Sequence, residues 1–137
     1  MPTAPITTIH HVGIVVSDLD RSLTWYRDHL GFELRARTSV PDIGLEFAYI
    51  TRGDFELELF MQRGSHPAPD QDVFQAFHQQ GIPHLAFGTE DLDATYQWAG
   101  TSGLKVLLEL QINEAMGVRY FFIVDPDGIQ IEFVERL

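Results

Sequence analysis

One short pattern occurs twice in this chain: a His followed by apolar, small and apolar residues, then Asp-Leu-Asp, then a Trp. The first copy is His11-Val12-Gly13-Ile14 with Asp18-Leu19-Asp20 and Trp25, and the second is His84-Leu85-Ala86-Phe87 with Asp91-Leu92-Asp93 and Trp98. Each of these residues in the second copy lies 73 positions after its counterpart. Gly44 and Gly117 keep that offset, as do Ile50 and Ile123, while Glu58 and Glu132 are 74 apart because the second copy carries one extra residue. A repeated module that places one His and one Glu at matching positions can bring two imidazoles and two carboxylates to one point when the copies pack with pseudo-twofold symmetry. Two neutral imidazoles and two carboxylates balance a 2+ charge, suit Ni, Co, Zn, Mn or Fe(II), and leave positions open for water or substrate. His11, Glu58, His84 and Glu132 are therefore expected as ligands of one divalent metal ion per site. Taken singly, each is more often a solvated or structural residue; repeat equivalence and matched facing carry the expectation.

The elements that must position these groups read as strand, helix and three strands, twice over. Residues 9–16 alternate, with Val12, Ile14 and Val16 on one face and His11, Gly13 and Val15 on the other. Ser17 or Asp18 can cap a helix in which Leu19, Leu23, Tyr26 and Leu30 recur at helical spacing, and Gly31 stops it. An extended piece near 32–38, a strand near 45–51, a turn at Arg52-Gly53-Asp54 and a strand over 55–60 complete the module. The second copy predicts a strand over 84–88, a helix over 92–100, strands near 104–110 and 118–124, and a last strand over 129–134 after the type I turn signal Asp125-Pro126-Asp127-Gly128. Apolar residues of the ligand strands share one face (Leu57 and Leu59; Ile131 and Phe133), where helices must cover them, so His11, Glu58, His84 and Glu132 fall on the other. The expected fold is α+β: two βαβββ modules, about 7–63 and 80–137, forming a cupped mixed sheet with helices on the convex side. The connection 64–79 is expected to hold one helical turn around Phe74 and Phe77, and the irregular stretch Gln111 to Gly117 to lie over a pocket mouth. His10 is expected to point away from His11 and to be structural, since Pro83 stands at its place in the second copy.

At 137 residues the chain can hold one core or two intimately packed half-modules. Nine basic against 20 acidic residues, a net charge of −11, argue against a nucleic-acid backbone or an anionic membrane as partner. Without Cys there is no disulfide framework and no thiolate nucleophile or ligand, so a transition metal must be held by His and carboxylates. Neither a basic-then-apolar leader nor a membrane-length apolar run is present, and a cytoplasmic location is expected.

The chain resembles the vicinal oxygen chelate superfamily, which includes glyoxalase I, bleomycin-resistance proteins, methylmalonyl-CoA epimerase, fosfomycin-resistance enzymes and extradiol dioxygenases. The resemblance runs through His11-Val-Gly-Ile, Trp25-Tyr26 with Leu30-Gly31-Phe32, Glu56-Leu57-Glu58-Leu59, His84-Leu-Ala-Phe, and Asp125-Pro126-Asp127-Gly128 leading to Ile131-Glu132-Phe133. It implies a cupped sheet around a metal held by His11, Glu58, His84 and Glu132, the set that looks like bacterial glyoxalase I. Val15 stands where that enzyme usually has an Arg for glutathione, and Phe60-Met61-Gln62-Arg63 replaces its Thr/Asn/Gly-containing segment.

The leading expectation is a metal-dependent isomerase or lyase that abstracts a proton next to a carbonyl of a small substrate with vicinal oxygens, with Glu132 or Glu58 moving the proton. An epimerase reading assigns that role to Glu46, which resembles the proton-abstracting Glu of methylmalonyl-CoA epimerase, with its repeat counterpart Arg119 holding an anionic substrate across the pocket. An extradiol dioxygenase, against which Glu58 argues as a fourth ligand, and a non-catalytic drug or metabolite binder are the other classes. Exposed strand edges on the half-modules lead to the expectation of a homodimer.

Overall fold

The computed structural model describes all of residues 1–137, which divide into two compact units, Met1–His66 and Pro67–Leu137. Each unit has its own four-stranded mixed sheet and its own helix of ten or more residues.

In the first unit the elements are β1 (Val12–Val15), α1 (Leu19–Leu30), β2 (Glu33–Val40), β3 (Leu45–Arg52) and β4 (Phe55–Gln62), with a single 3-10 turn at Pro41–Ile43. Asp18 caps α1 by accepting from the Arg21 amide at 3.0 Å. Gly31, at φ 71°, ends it: its amide and that of Phe32 return to the carbonyls of Arg27 and Tyr26. Leu19, Ser22, Tyr26 and Leu30 form the buried stripe of the helix, and the spacing of three and four makes that stripe continuous. The sheet order is β1-β4-β3-β2, with β1 parallel to β4 and the remaining pairs antiparallel. The core lies between α1 and the face carrying Ile14, Ala48, Ile50, Leu57 and Leu59, all buried.

The second unit repeats this plan: α2 (Val73–Ala76), β5 (Leu85–Gly88), α3 (Leu92–Thr101), β6 (Val106–Asn113), β7 (Val118–Val124) and β8 (Gln130–Arg136), in sheet order β5-β8-β7-β6 with β5 parallel to β8. Asp91 caps α3, and Phe121, Ile123, Ile131 and Phe133 are buried on the face that α3 covers. The helical turn expected in the connection is α2, held by a reciprocal capping box between Asp72 and Gln75. The chain is thus an α+β protein of two βαβββ modules.

The bounds of two elements are corrected, and β2 carries an irregularity on which the sequence was silent. β1 begins at Val12 and not near residue 9, because its ladder to β4 starts with Val12 opposite Leu57. The stretch 111–117 is irregular only in its second half: β6 runs on to Asn113 and a tight turn over 114–117 leads into β7, with the Gly117 amide bonded to the Glu114 carbonyl. β2 is irregular between Leu34 and Ala36, where the register with β3 slips. That slip changes which face Arg35 serves.

Candidate metal and substrate site

Each module holds one His–Glu pair, and the two pairs are repeat-equivalent. His11 immediately precedes β1 and Glu58 sits in β4 opposite Gly13, and His11 Nε2 lies 3.1 Å from Glu58 Oε2. His84 immediately precedes β5 and Glu132 sits in β8 opposite Ala86, and His84 Nε2 lies 3.1 Å from Glu132 Oε2. The same sequence pattern has produced the same contact twice. Its cause is the parallel ladder, which places the residue before the edge strand beside the outward-facing Glu of its neighbour.

The spacing fits a shared ion within each pair. Nitrogen and oxygen donors each about 2.1 Å from one divalent ion stand roughly 3 Å apart when they are adjacent ligands. Each module thus holds one such pair, His11 with Glu58 and His84 with Glu132.

The surroundings of the two pairs differ. In the first module His11 Nδ1 meets His10 Nδ1 at 2.8 Å, and His10 Nδ1 lies 3.6 Å from Glu56 Oε2. Arg35 closes on Glu56 Oε1 at 3.1 Å and its guanidinium carbon stands 4.9 Å from the centre of the Tyr49 ring. The Tyr49 hydroxyl donates to Glu58, and losing its proton beside that carboxylate is unfavourable, so its pKa is raised. His10 is therefore not turned away from His11. Strand alternation does not govern it, because the ladder begins only at Val12.

In the second module Pro83, Phe122 and Gln130 take the places of His10, Tyr49 and Glu56. His84 Nδ1 is buried with no hydrogen-bond partner, and the Phe122 ring lies edge-on to the imidazole at 5.0 Å. Gln130 instead reaches the backbone carbonyls of Gln71 and Asp72 at 3.3 and 3.2 Å, fastening the segment that leads into α2. Burial pushes the Glu132 carboxyl above its ordinary pKa, with His84 pulling the other way. A cavity of about 1340 Å³ opens beside this pair, and its walls include Phe74, Phe77, Met116, Tyr120 and Phe122.

Glu46 and Arg119 lie on the other face of their sheets, which corrects the expectation of a carboxylate and a guanidinium across the pocket. Glu46 has the parity of Ala48 and Ile50, residues buried on the α1 side, and its carboxylate is 3.7 Å from Arg37, which itself binds Asp20 of α1 at 2.6 Å. Arg119 has the parity of Phe121 and Ile123, and it binds Asp93 of α3 at 2.7 Å and Glu135 at 3.4 Å. Both groups tie a helix to its own sheet. The signal that could have placed them is this parity, but Leu45, Phe47 and Tyr49 make the opposite face of β3 equally apolar. Arg35 carried no such signal, because a bulge sets its direction.

No helix is long and apolar enough to cross a membrane. The sequence profile of the Glyoxalase/Bleomycin resistance protein/Dioxygenase superfamily matches residues 8–133. A lactoylglutathione lyase of Haemophilus influenzae is 31% identical over 132 residues, covering 93% of this chain and 92% of that protein. An ethylmalonyl-CoA/methylmalonyl-CoA epimerase of Cereibacter sphaeroides is 30% identical over 106 residues, covering 74% of this chain and 75% of that one. Among solved structures, a glyoxalase family protein from Enterococcus faecalis superposes with a TM-score of 0.81 at 26% identity, over 93% of this chain and 97% of its own. With the repeated fold and the paired His–Glu contacts already described, the chain belongs to the Glyoxalase/Bleomycin resistance protein/Dioxygenase superfamily.

Proposed function

We propose that the protein is a metal-dependent enzyme of the glyoxalase I type, an isomerase or lyase that removes a proton from the carbon next to a carbonyl in a small substrate with vicinal oxygens. The observation that carries this reading is the duplicated His–Glu contact, His11 with Glu58 and His84 with Glu132, each at 3.1 Å. His11, Glu58, His84 and Glu132 are the residues that would hold a divalent ion. When bound, a divalent ion supplies electrostatic stabilisation to the negative charge that develops on the substrate's oxygens.

Within the chain, Glu132 is the residue we assign to proton transfer. Its carboxyl is the one that burial raises, which brings its proton affinity closer to that of an acidified carbon, and it borders the large cavity. Glu58 is held by Tyr49 as well as by His11, which suits a fixed ligand more than a moving base. The epimerase reading that used Glu46 loses its base, since Glu46 serves the α1 side of the sheet. A dioxygenase remains disfavoured because Glu58 adds a fourth protein donor to the two-His, one-carboxylate set. We also infer a cytoplasmic homodimer: in each sheet the outer strands, β1 and β2 or β5 and β6, have a free hydrogen-bonding edge.

The test combines elemental analysis with proton exchange. Purified protein, stripped with chelator and reloaded, should take up one Ni, Co, Zn, Mn or Fe per site, and His11→Ala should lose it. Glu132→Gln should abolish exchange of the substrate's α-proton with deuterated solvent while retaining substrate binding. Full exchange in Glu132→Gln, or metal uptake unaffected by His11→Ala, would overturn the assignment.

A further inference from the structure

Two buried polar atoms at the second His–Glu pair have no hydrogen-bond partner within the chain, His84 Nδ1 and Gln130 Oε1. Strand pairing makes their residues neighbours. Leu85 of β5 lies opposite Ile131 of β8, and His84 and Gln130 are the residues just before that pair. Gln130 and Glu132, two positions apart on β8, share a face, and it is on this face that His84 Nε2 stands 3.1 Å from Glu132. Gln130 is only 5% exposed, and its amide nitrogen donates to the carbonyls of Gln71 and Asp72 at 3.3 and 3.2 Å. Those bonds fix the orientation of the amide and leave Oε1 as an unused acceptor.

The repeat shows which step the second module makes differently. In the first module His11 Nδ1 meets His10 Nδ1 at 2.8 Å, and His10 leads on to Glu56 at 3.6 Å. In the second, Pro83 brings no ring nitrogen and Gln130 stands in the place of Glu56. The link from imidazole to β8 must also serve two states of the ring. With Nε2 on an ion, the ring proton is on Nδ1 and needs an acceptor; with Nε2–H facing the Glu132 carboxylate, Nδ1 is itself an acceptor. An amide oxygen answers only the first state, whereas a water both donates and accepts.

Resting on the metal-binding role proposed above for His84, we propose that Gln130 is a positioning residue: through one buried water its amide oxygen holds His84 Nδ1 and aims Nε2 at Glu132 and the ion. The other end of the same amide holds the segment leading into α2, so one side chain fixes both a ligand and the start of the cavity wall.

A crystal structure of the full chain should show a water within hydrogen-bond distance of both His84 Nδ1 and Gln130 Oε1. No water there, or Nδ1 bonded elsewhere, overturns the inference whether or not the protein binds metal. Two variants separate the ends of the amide. Gln130→Glu keeps an acceptor and loses the amide donor, while Gln130→Met, of similar volume, loses both. In Gln130→Met the His84 ring should leave its 3.1 Å contact with Glu132, and an unmoved ring counts against the proposal. In competition with a chelator, Gln130→Met should lose zinc affinity by about tenfold or more, while Gln130→Glu stays within about threefold of wild type. Equal losses in the two variants would assign the effect to the α2 anchor and overturn the inference, as would wild-type affinity in Gln130→Met. If the wild-type chain takes up no zinc, the proposed function falls, and the water and the ring position decide the inference alone.

Discussion

Replacing Glu46 by Gln separates two roles that a carboxylate on β3 could have. If Glu46 were the proton-abstracting base, losing its charge would cost roughly 10²- to 10⁴-fold in turnover, the usual contribution of a positioned general base. The structure assigns it a different task, an ion pair with Arg37 at 3.7 Å with 43% of the Glu46 side chain exposed. A pair that open to solvent contributes no more than about 0.5 kcal/mol, since water and salt screen it and two side chains lose freedom to make it. Arg37 also keeps its shorter contact to Asp20 at 2.6 Å, so the guanidinium is not stranded by the substitution. The melting temperature should therefore fall by no more than about 3 °C, and the rate of α-proton exchange should stay within about twofold of wild type. The assay is thermal unfolding alongside NMR-detected exchange of whichever α-hydroxycarbonyl the protein turns over. A hundredfold loss of exchange in a variant that melts normally would refute the placement of Glu46 on the helix side and restore the epimerase reading.

The raised Glu132 carboxyl makes a pH-dependent prediction for the metal-free protein. A group whose folded pKa lies above its unfolded value favours the fold while protonated, and that contribution is lost as pH rises through the folded pKa. The Glu132→Gln variant should then gain in melting temperature on wild type as pH rises above the ordinary carboxylate range; a gap independent of pH would show that burial does not act on this carboxyl. Tyr49→Phe removes the hydroxyl that donates to Glu58. It should weaken metal retention by up to about tenfold in competition with a chelator while leaving the fold intact, and unchanged retention would mean that the hydroxyl does not hold the ligand. Gly31→Ala places a Cβ on a residue at φ 71° and should destabilise the protein by about 1 kcal/mol in denaturant titration.

Much of the fold can be read from local pattern because the forces concerned are local. Asp18 and Gly31 bound α1 through hydrogen bonds to residues three to five positions away, and Asp91 does the same at the start of α3. Leu57 and Leu59 point inward because a pleated strand alternates, which leaves Glu58 outward whatever else the chain does; Ile131, Phe133 and Glu132 obey the same rule. The repeat also made each His and Glu evidence for its counterpart, although the sequence led to the expectation of four side chains at one point and gave no sign of the His–Glu contact within each module.

What the tertiary structure decided were directions where local pattern is silent or balanced. β3 is apolar on both faces, and only its register with β4, Ala48 opposite Leu59, assigns Glu46 to the helix side. Arg35 joins Glu56 and Tyr49 because a bulge in β2 interrupts alternation at that residue, and His10 meets His11 because it lies before the ladder begins. The cavity is also a tertiary object: Phe74 and Phe77 come from a segment fastened through Gln130, dozens of residues away in sequence. Sequence alone determined which residues could do chemistry, through periodicity and duplication acting over a few positions. Strand register, a bulge and one long-range hydrogen-bonded anchor determined what surrounds them, because each depends on contacts between segments whose pairing no short window of sequence specifies.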